Sequence, residues 1–387
     1  MLFPLDNHAM TTNDKNTRLR VALFDLWHGL GHAYYTGPLC EALCRREDLT
    51  VGLFYNQKQD LSLYGNPAAR FAVDAPTGLD RSQWGRLATQ PLGLAKMLAN
   101  LRRFNPDVIH LSFCHPWLTM LLPVLGRWRP VISTLHDVTP HHGEETLRNH
   151  LANRTMICVS RRVFVHGPEL LRMAEERYPT ARGRFASIPM GHLEILSQYA
   201  DFSLEPEPAT FLIFGRLLPY KGLRIALEAL EIVAAEEPDA RLIIAGRGDL
   251  AKEASLIERL RGRVELHHRF ISNAELGELM GRSLAVLLPY THASGSGVVA
   301  TASAFERCVI ASRLGGLIDM IVDGKTGRLF KPGSVHELAS LMIQAIRNRS
   351  ETLEMGRAAR RHARDQGSWD RIAEILCQSY YEEKKRS

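Results

Sequence analysis

Two cations in one glycine-bounded run are the residues most suited to chemistry in this sequence. Arg216 and Lys221 are five positions apart between Gly215 and Gly222, after an apolar run at 210–215 and before a run carrying Leu223, Leu227 and Leu230. Glycine lets a ligand approach the backbone closely, while a guanidinium and an ammonium supply fixed positive charge. Such a loop is an anion site, able to stabilise negative charge that develops on a leaving group. Two surface cations without a ligand are the alternative reading. A second phosphate seat is expected at Ser296 and Gly297, where a helix should start after an apolar run at 285–289. Free amides and the positive end of a helix dipole favour an anion there.

The elements that must position these residues follow from hydrophobic patterning. The first half opens with an apolar run at 20–26, a turn containing Gly29, Gly31 and His32, and a helical stretch. Short apolar runs at 50–55, 108–112, 131–134 and 155–160 read as further strands between helices. After a polar, proline-containing stretch at 201–208 the pattern restarts, with strands expected at 210–215, 241–246, 264–268, 285–289 and 308–312. Helices are expected at 335–346, 351–364 and 369–383. Alternating strands and helices imply an α/β fold class, here two Rossmann-like doubly wound domains facing a central cleft, with ligands at the carboxyl ends of the strands. The expected divisions are a tail at 1–18, a domain at 19–200, a second at 201–366 and a final helix at 367–387.

Composition narrows the function classes. At 387 residues the chain is long enough for two cores, and 45% hydrophobic with 23% charged residues is a globular balance. No apolar run has the length of a membrane span, and residues 1–18 lack a signal-peptide core. Six scattered cysteines without C-x-x-C spacing suit reduced thiols, so a cytoplasmic location is expected. The formal charge of +6 is carried by dispersed residues without a nucleic-acid signature. No nucleic acid partner is expected; a polyanionic ligand, peripheral contact with an anionic membrane on its cytoplasmic face, or a solvated basic surface each accounts for the excess.

In order along the chain, the Gly215, Arg216, Lys221 and Gly222 run is followed by Gly246 and Gly248, Pro289 and Tyr290, the 294–297 run, Gly315 and Gly316, and Asp323 to Phe330. Order and spacing together resemble the retaining GT-B glycosyltransferases, especially glycosyltransferase family 4 (glycosyl transferases group 1). The resemblance implies a GT-B fold and transfer of a sugar from a nucleotide diphosphate sugar to an acceptor hydroxyl with retention. It implies that Arg216 and Lys221 hold the diphosphate, and that His136 is the strand-end histidine facing the transferred sugar. Donor contacts are implied at Gly31, Gly215, Gly246, Phe270, His292, Ser296, Gly297 and Thr301. The family usually has two glutamates where this chain has His292 and Thr301, and Glu306 reads as a helix-end residue. No metal or other cofactor is expected, since cations and helix dipoles meet the leaving charge.

The sequence does not name the acceptor; by the resemblance a sugar or lipid-linked saccharide is expected, with a role in envelope polysaccharide or glycoconjugate synthesis. A nucleotide-sugar epimerase, a sugar phosphorylase, or a nucleotide-sugar-binding protein whose chemistry has lapsed are the alternatives on the same fold. His110 reads as an internally bonded strand residue, and His141 and His142 as a loop pair within reach of an acceptor. His166 and His192 fall in cleft-edge segments without a catalytic role. The final helix, by the resemblance, crosses back to the first domain with Trp369 as its packing anchor.

Overall fold

The computed structural model describes residues 18–76, 90–139, 147–292 and 295–387. Seven strands form the first sheet: β1 (Leu19–Asp25), β2 (Leu49–Asn56), β3 (Ala69–Val73), β4 (Val108–Leu111), β5 (Val131–Thr134), β6 (Arg162–His166) and β7 (Phe185–Ile188). Six form the second: β8 (Thr210–Phe214), β9 (Arg241–Ala245), β10 (Val264–His267), β11 (Ala285–Leu288), β12 (Cys308–Ser312) and β13 (Gly327–Phe330). The orders are β3-β2-β1-β4-β5-β6-β7 and β10-β9-β8-β11-β12-β13, and the registered pairs are parallel. Each order reverses once, at β1/β4 and at β8/β11, which places a ligand crevice outside the carboxyl ends of those strands. Central strands such as β4 and β5 are buried at every position, as parallel strands covered on both faces must be.

Helices cover both faces of each sheet. In the first lobe Gln90–Phe104, Leu122–Trp128, Leu147–Val159 and Pro168–Arg177 lie on one face, while Leu30–Cys44 and the last helix, Trp369–Lys385, lie on the other. In the second, Leu223–Glu236 and Val335–Arg347 face Asn273–Arg282 and Gly297–Ala304 across the sheet. The run at 155–160 is not the expected strand but the end of helix Leu147–Val159, and the strand is β6 at Arg162–His166. A short apolar run fits either state; here Ala152, Met156 and Ile157 supply a buried helical face.

The chain crosses between lobes twice, and the two crossings are packed together. His192 N donates to Gly367 O at 3.0 Å, and Trp369 Nε1 donates to His192 O at 2.9 Å. A Cβ on Gly191 would lie 2.2 Å from the Trp369 ring, so only glycine fits there. His110, at the centre of β4, meets Tyr380 OH at 2.6 Å and Thr134 Oγ1 at 3.2 Å, which ties the last helix to the first sheet. No described helix is long and apolar enough to cross a membrane.

Candidate active site

Lys221 is the anchor of the second-lobe wall. It lies in a single 3-10 turn, Pro219–Lys221, just past β8, and is only 6% exposed. Its Nζ donates to Phe214 O at 3.0 Å and sits 5.7 Å from the centre of the Tyr290 ring. Burial, and then the charge of Arg216, push its pKa down to about 8. Arg216 is exposed at the same strand end.

Glycines let three loops close around this cation. Gly222 has φ 66°, and a Cβ there would lie 1.8 Å from Pro289 O. Gly246 is equally constrained, because its Cβ would lie 1.8 Å from Gly215 O. The loops after β8, β9 and β11 therefore meet backbone to backbone, reinforced by Thr291 N donating to Tyr220 O at 2.8 Å. His292 follows directly in the loop that leaves β11.

Helix Gly297–Ala304 starts at this wall. Its Ncap Ser296 accepts from Val298 N at 3.2 Å, and a Cβ on Gly297 would meet nothing within 4 Å. Thr301 is 8% exposed and donates to Gly297 O at 2.8 Å, a bond within its own helix. Phe270 is 61% exposed beyond β10, with the Arg247 guanidinium 6.0 Å from its ring. Glu306 lies away from this wall: it has φ 56° after the helix end and pairs with Arg360 at 2.9 Å, beside the hinge residue Glu194.

The first-lobe wall is an aromatic and imidazole cluster at the ends of β1, β4, β5 and β6. Gly31 lies in the exposed first turn of helix Leu30–Cys44, where a Cβ would meet nothing within 4 Å. His32 stacks on Trp27 and meets Phe113 edge to face, with centroids 5.8 and 4.3 Å away. Burial, His28 and Arg216 lower its pKa to about 4. Arg216 thus acts on His32 from the opposite lobe.

His136 lies just past β5, stacked on Phe113 at 3.9 Å. Its Nε2 faces Ser112 O at 2.8 Å, and its Nδ1 faces His166 Nε2 at 3.2 Å. A carbonyl only accepts, so Nε2 of His136 carries the proton and, in the neutral pair, His166 donates to His136 Nδ1. His166 Nδ1 then faces Pro189 O at 3.4 Å, the longest contact of the chain. Burial lowers both imidazoles, His166 to about 4 and His136 well below its ordinary value, so the pair is uncharged at neutral pH. Both ring nitrogens of His136 are engaged inside the lobe, so a contact to a sugar requires exchange of one of these bonds.

The lobes also touch directly. Asn273 Nδ2 donates to Tyr34 OH, and Glu169 N donates to Asp319 at 2.8 Å, beside Gly167. Tyr34, Asp319 and the His166 partnership were missed in sequence reasoning. Only His166 carries a usable sequence signal, since it ends a strand as His136 follows one. His141, His142 and Ser294 lie outside the described residues.

A cleft between two doubly wound sheets, with a cationic wall and a polar aromatic wall, matches the GT-B fold of glycosyltransferases. The chain belongs to that family: the model described as Glycosyltransferase Family 4 matches residues 31–192, and the one described as Glycosyl transferases group 1 matches 198–362. It is 26% identical over 305 residues to the glycogen synthase of Mycobacterium tuberculosis, covering 75% of this chain and 72% of that protein. Among solved structures it resembles sucrose-phosphate synthase from Thermosynechococcus elongatus, with TM-score 0.71, 18% identity, and coverage of 96% and 100% of the two chains. It also resembles Anabaena Alr3699/HepE in complex with UDP-glucose, with TM-score 0.66, 18% identity, and coverage of 94% and 100%.

Proposed function

We propose that this glycosyltransferase moves a hexose from a nucleoside diphosphate sugar to an acceptor hydroxyl with retention of anomeric configuration, without a bound metal. The observation that carries the reading is the buried ammonium of Lys221 at the end of β8, with Arg216 beside it and facing the first lobe. As the bond from sugar to phosphate breaks, charge grows on the diphosphate, and fixed cations stabilise that change more than they stabilise the ground state. The starts of helices Leu30–Cys44 and Gly297–Ala304 add oriented amides from both lobes. The acceptor hydroxyl attacks from the face the diphosphate leaves, and a departing phosphate oxygen takes its proton. His136 shapes the sugar end of the cleft.

The acceptor is a sugar or lipid-linked saccharide, reached from the cytoplasm, in synthesis of an envelope polysaccharide or glycoconjugate. The UDP-glucose held by the Anabaena protein supports a nucleoside diphosphate sugar as donor. The test incubates the protein with UDP-, GDP- and ADP-hexoses and a panel of saccharide acceptors. Free nucleoside diphosphate and an α-linked product by NMR are expected, with turnover at least about 100-fold lower in an Arg216→Ala, Lys221→Met double variant. A β-linked product, or unchanged turnover in that variant, contradicts the proposal.

A further inference from the structure

Transfer chemistry makes no use of a polar cavity of about 70 Å³ beside the linker, several times the room that one water requires. Its lining comes from the linker at Phe202 and Glu205, from Glu306 and Arg307 just past helix Gly297–Ala304, and from Arg357 of helix Arg349–Gln366. Both of these carboxylates are taken by arginines outside the lining, Glu306 by Arg360 at 2.9 Å and Glu205 by Arg349 at 2.8 Å. Arg307 is only 7% exposed and forms no ion pair with a described residue. Three of its five N–H groups point to backbone carbonyls, Met280 O at 2.6 Å and Glu306 O and Gly281 O at 3.4 Å. Burial lowers its pKa, although Glu306 and Glu205 act to raise it. A guanidinium buried without a direct carboxylate partner is costly, and an anion in the cavity offsets that cost. Arg357 is held only by an exposed pair with Glu354 at 3.3 Å, which costs little to break.

Elements that reach the cleft end at this cavity. Helix Gly297–Ala304 starts at the Ser296 cap beside the cationic wall and runs to Glu306 and Arg307. Helix Asn273–Arg282 meets Tyr34 of the first lobe through Asn273, and Arg307 holds its last turn through Met280 O and Gly281 O. Helix Arg349–Gln366 packs on the same turn, since a Cβ on Gly356 would lie 2.1 Å from Glu306 O, and it leads into the crossing at Gly367. An anion between Arg307 and Arg357 therefore touches the turn and the helix beside the linker, and elements packed this closely transmit a shift. Phe202 and Leu204, 46% and 49% exposed, offer an apolar seat to a carbon skeleton that carries the anion.

We infer that this cavity is an effector site that takes a phosphate group, free or carried by a small metabolite, between Arg307 and Arg357, and that its occupancy is felt at the cleft ends of the two helices. The cavity stands apart from Lys221 and Arg216, so it can fail while the transfer reading stands. The test titrates the full chain calorimetrically with inorganic phosphate and with glycerol 3-phosphate. It compares wild type with Arg357→Glu and with Arg216→Ala, Lys221→Met, which removes the cleft cations. Binding of at least one probe is expected in wild type and in the cleft variant, and Arg357→Glu should weaken it about tenfold or more. Tighter binding of glycerol 3-phosphate assigns the site to a phosphorylated metabolite, and equal or weaker binding assigns it to free phosphate. At saturation, amide hydrogen exchange at residues 298–301 and 273–276 is expected to slow at least about fivefold, in the cleft variant as well. No binding, binding lost with the cleft cations, binding unchanged in Arg357→Glu, or binding without slower exchange at those residues overturns the inference.

Discussion

Burial and the Arg216 charge both oppose protonation of Lys221, and together they bring its pKa to about 8. Between that value and the ordinary lysine range the folded chain binds fewer protons than the unfolded one, so the unliganded protein gains stability as pH rises through that window. Below it the cost of the buried charge is fully present, on the order of 3 kcal/mol. On the proposed reading a diphosphate in the cleft would offset that cost, so Lys221 would favour the liganded over the empty site. The His136 and His166 pair follows a different logic. Ser112 O places the proton of neutral His136 on Nε2, and His166 supports that tautomer by donating to Nδ1. His166→Phe removes that donor and is expected to lower kcat roughly tenfold with little change in donor KM, with partial rescue in His166→Gln. Nitrogen NMR of His136 should show a changed tautomer balance in the Phe variant; an unchanged spectrum and kcat would remove His166 from any positioning role.

At the scale of elements, the cationic wall depends on loops that touch through glycine. Gly222→Ala is expected to force the backbone past Pro289 O and cost several kcal/mol of stability, on the order of 3, together with a weaker grip on nucleoside diphosphate. Thermal unfolding checks this, and a melting temperature equal to wild type would show that the loops can part without penalty. Much of this wall is legible in the sequence, because Gly215 and Gly246 close apolar runs that read as buried strands, and both cations fall between Gly215 and Gly222. The two-sheet α/β architecture is legible for the same reason. The run at 155–160 misleads because four apolar residues in six suit a buried helix end as well as a strand. Strands β3, β7 and β13 are short and interrupted by Arg70, Ser187 and Arg328, which leaves too little pattern to register. The His136 bond to His166 is invisible because it depends on β5 and β6 being neighbours, which only the assembled sheet decides.

At the scale of the whole molecule, the two lobes are held by two packed crossings and, among the described residues, by direct contacts between the walls. Arg360 joins Glu194 of the crossing segment to Glu306 of the second lobe, and Trp369 packs between Gly191 and Tyr35, whose ring borders His136. Hinge and imidazole cluster are thus in contact. Asn273 with Tyr34 and Asp319 with Glu169 bring the cleft walls together, contacts that no single-lobe pattern could reveal. Closure sets the Lys221 and Arg216 wall against the His32 side, so binding of a diphosphate should report the charge on Lys221. The decisive measurement is calorimetric titration of the unliganded protein with UDP, GDP and ADP from pH 7 to pH 10, in wild type and in Lys221→Met. For the nucleotide that binds, wild-type affinity is predicted to fall by up to about tenfold per pH unit above about 8, with a weak and pH-independent affinity in the variant. Wild-type affinity that stays flat to pH 10, or a variant that binds as tightly as wild type, would contradict a diphosphate held by this buried ammonium.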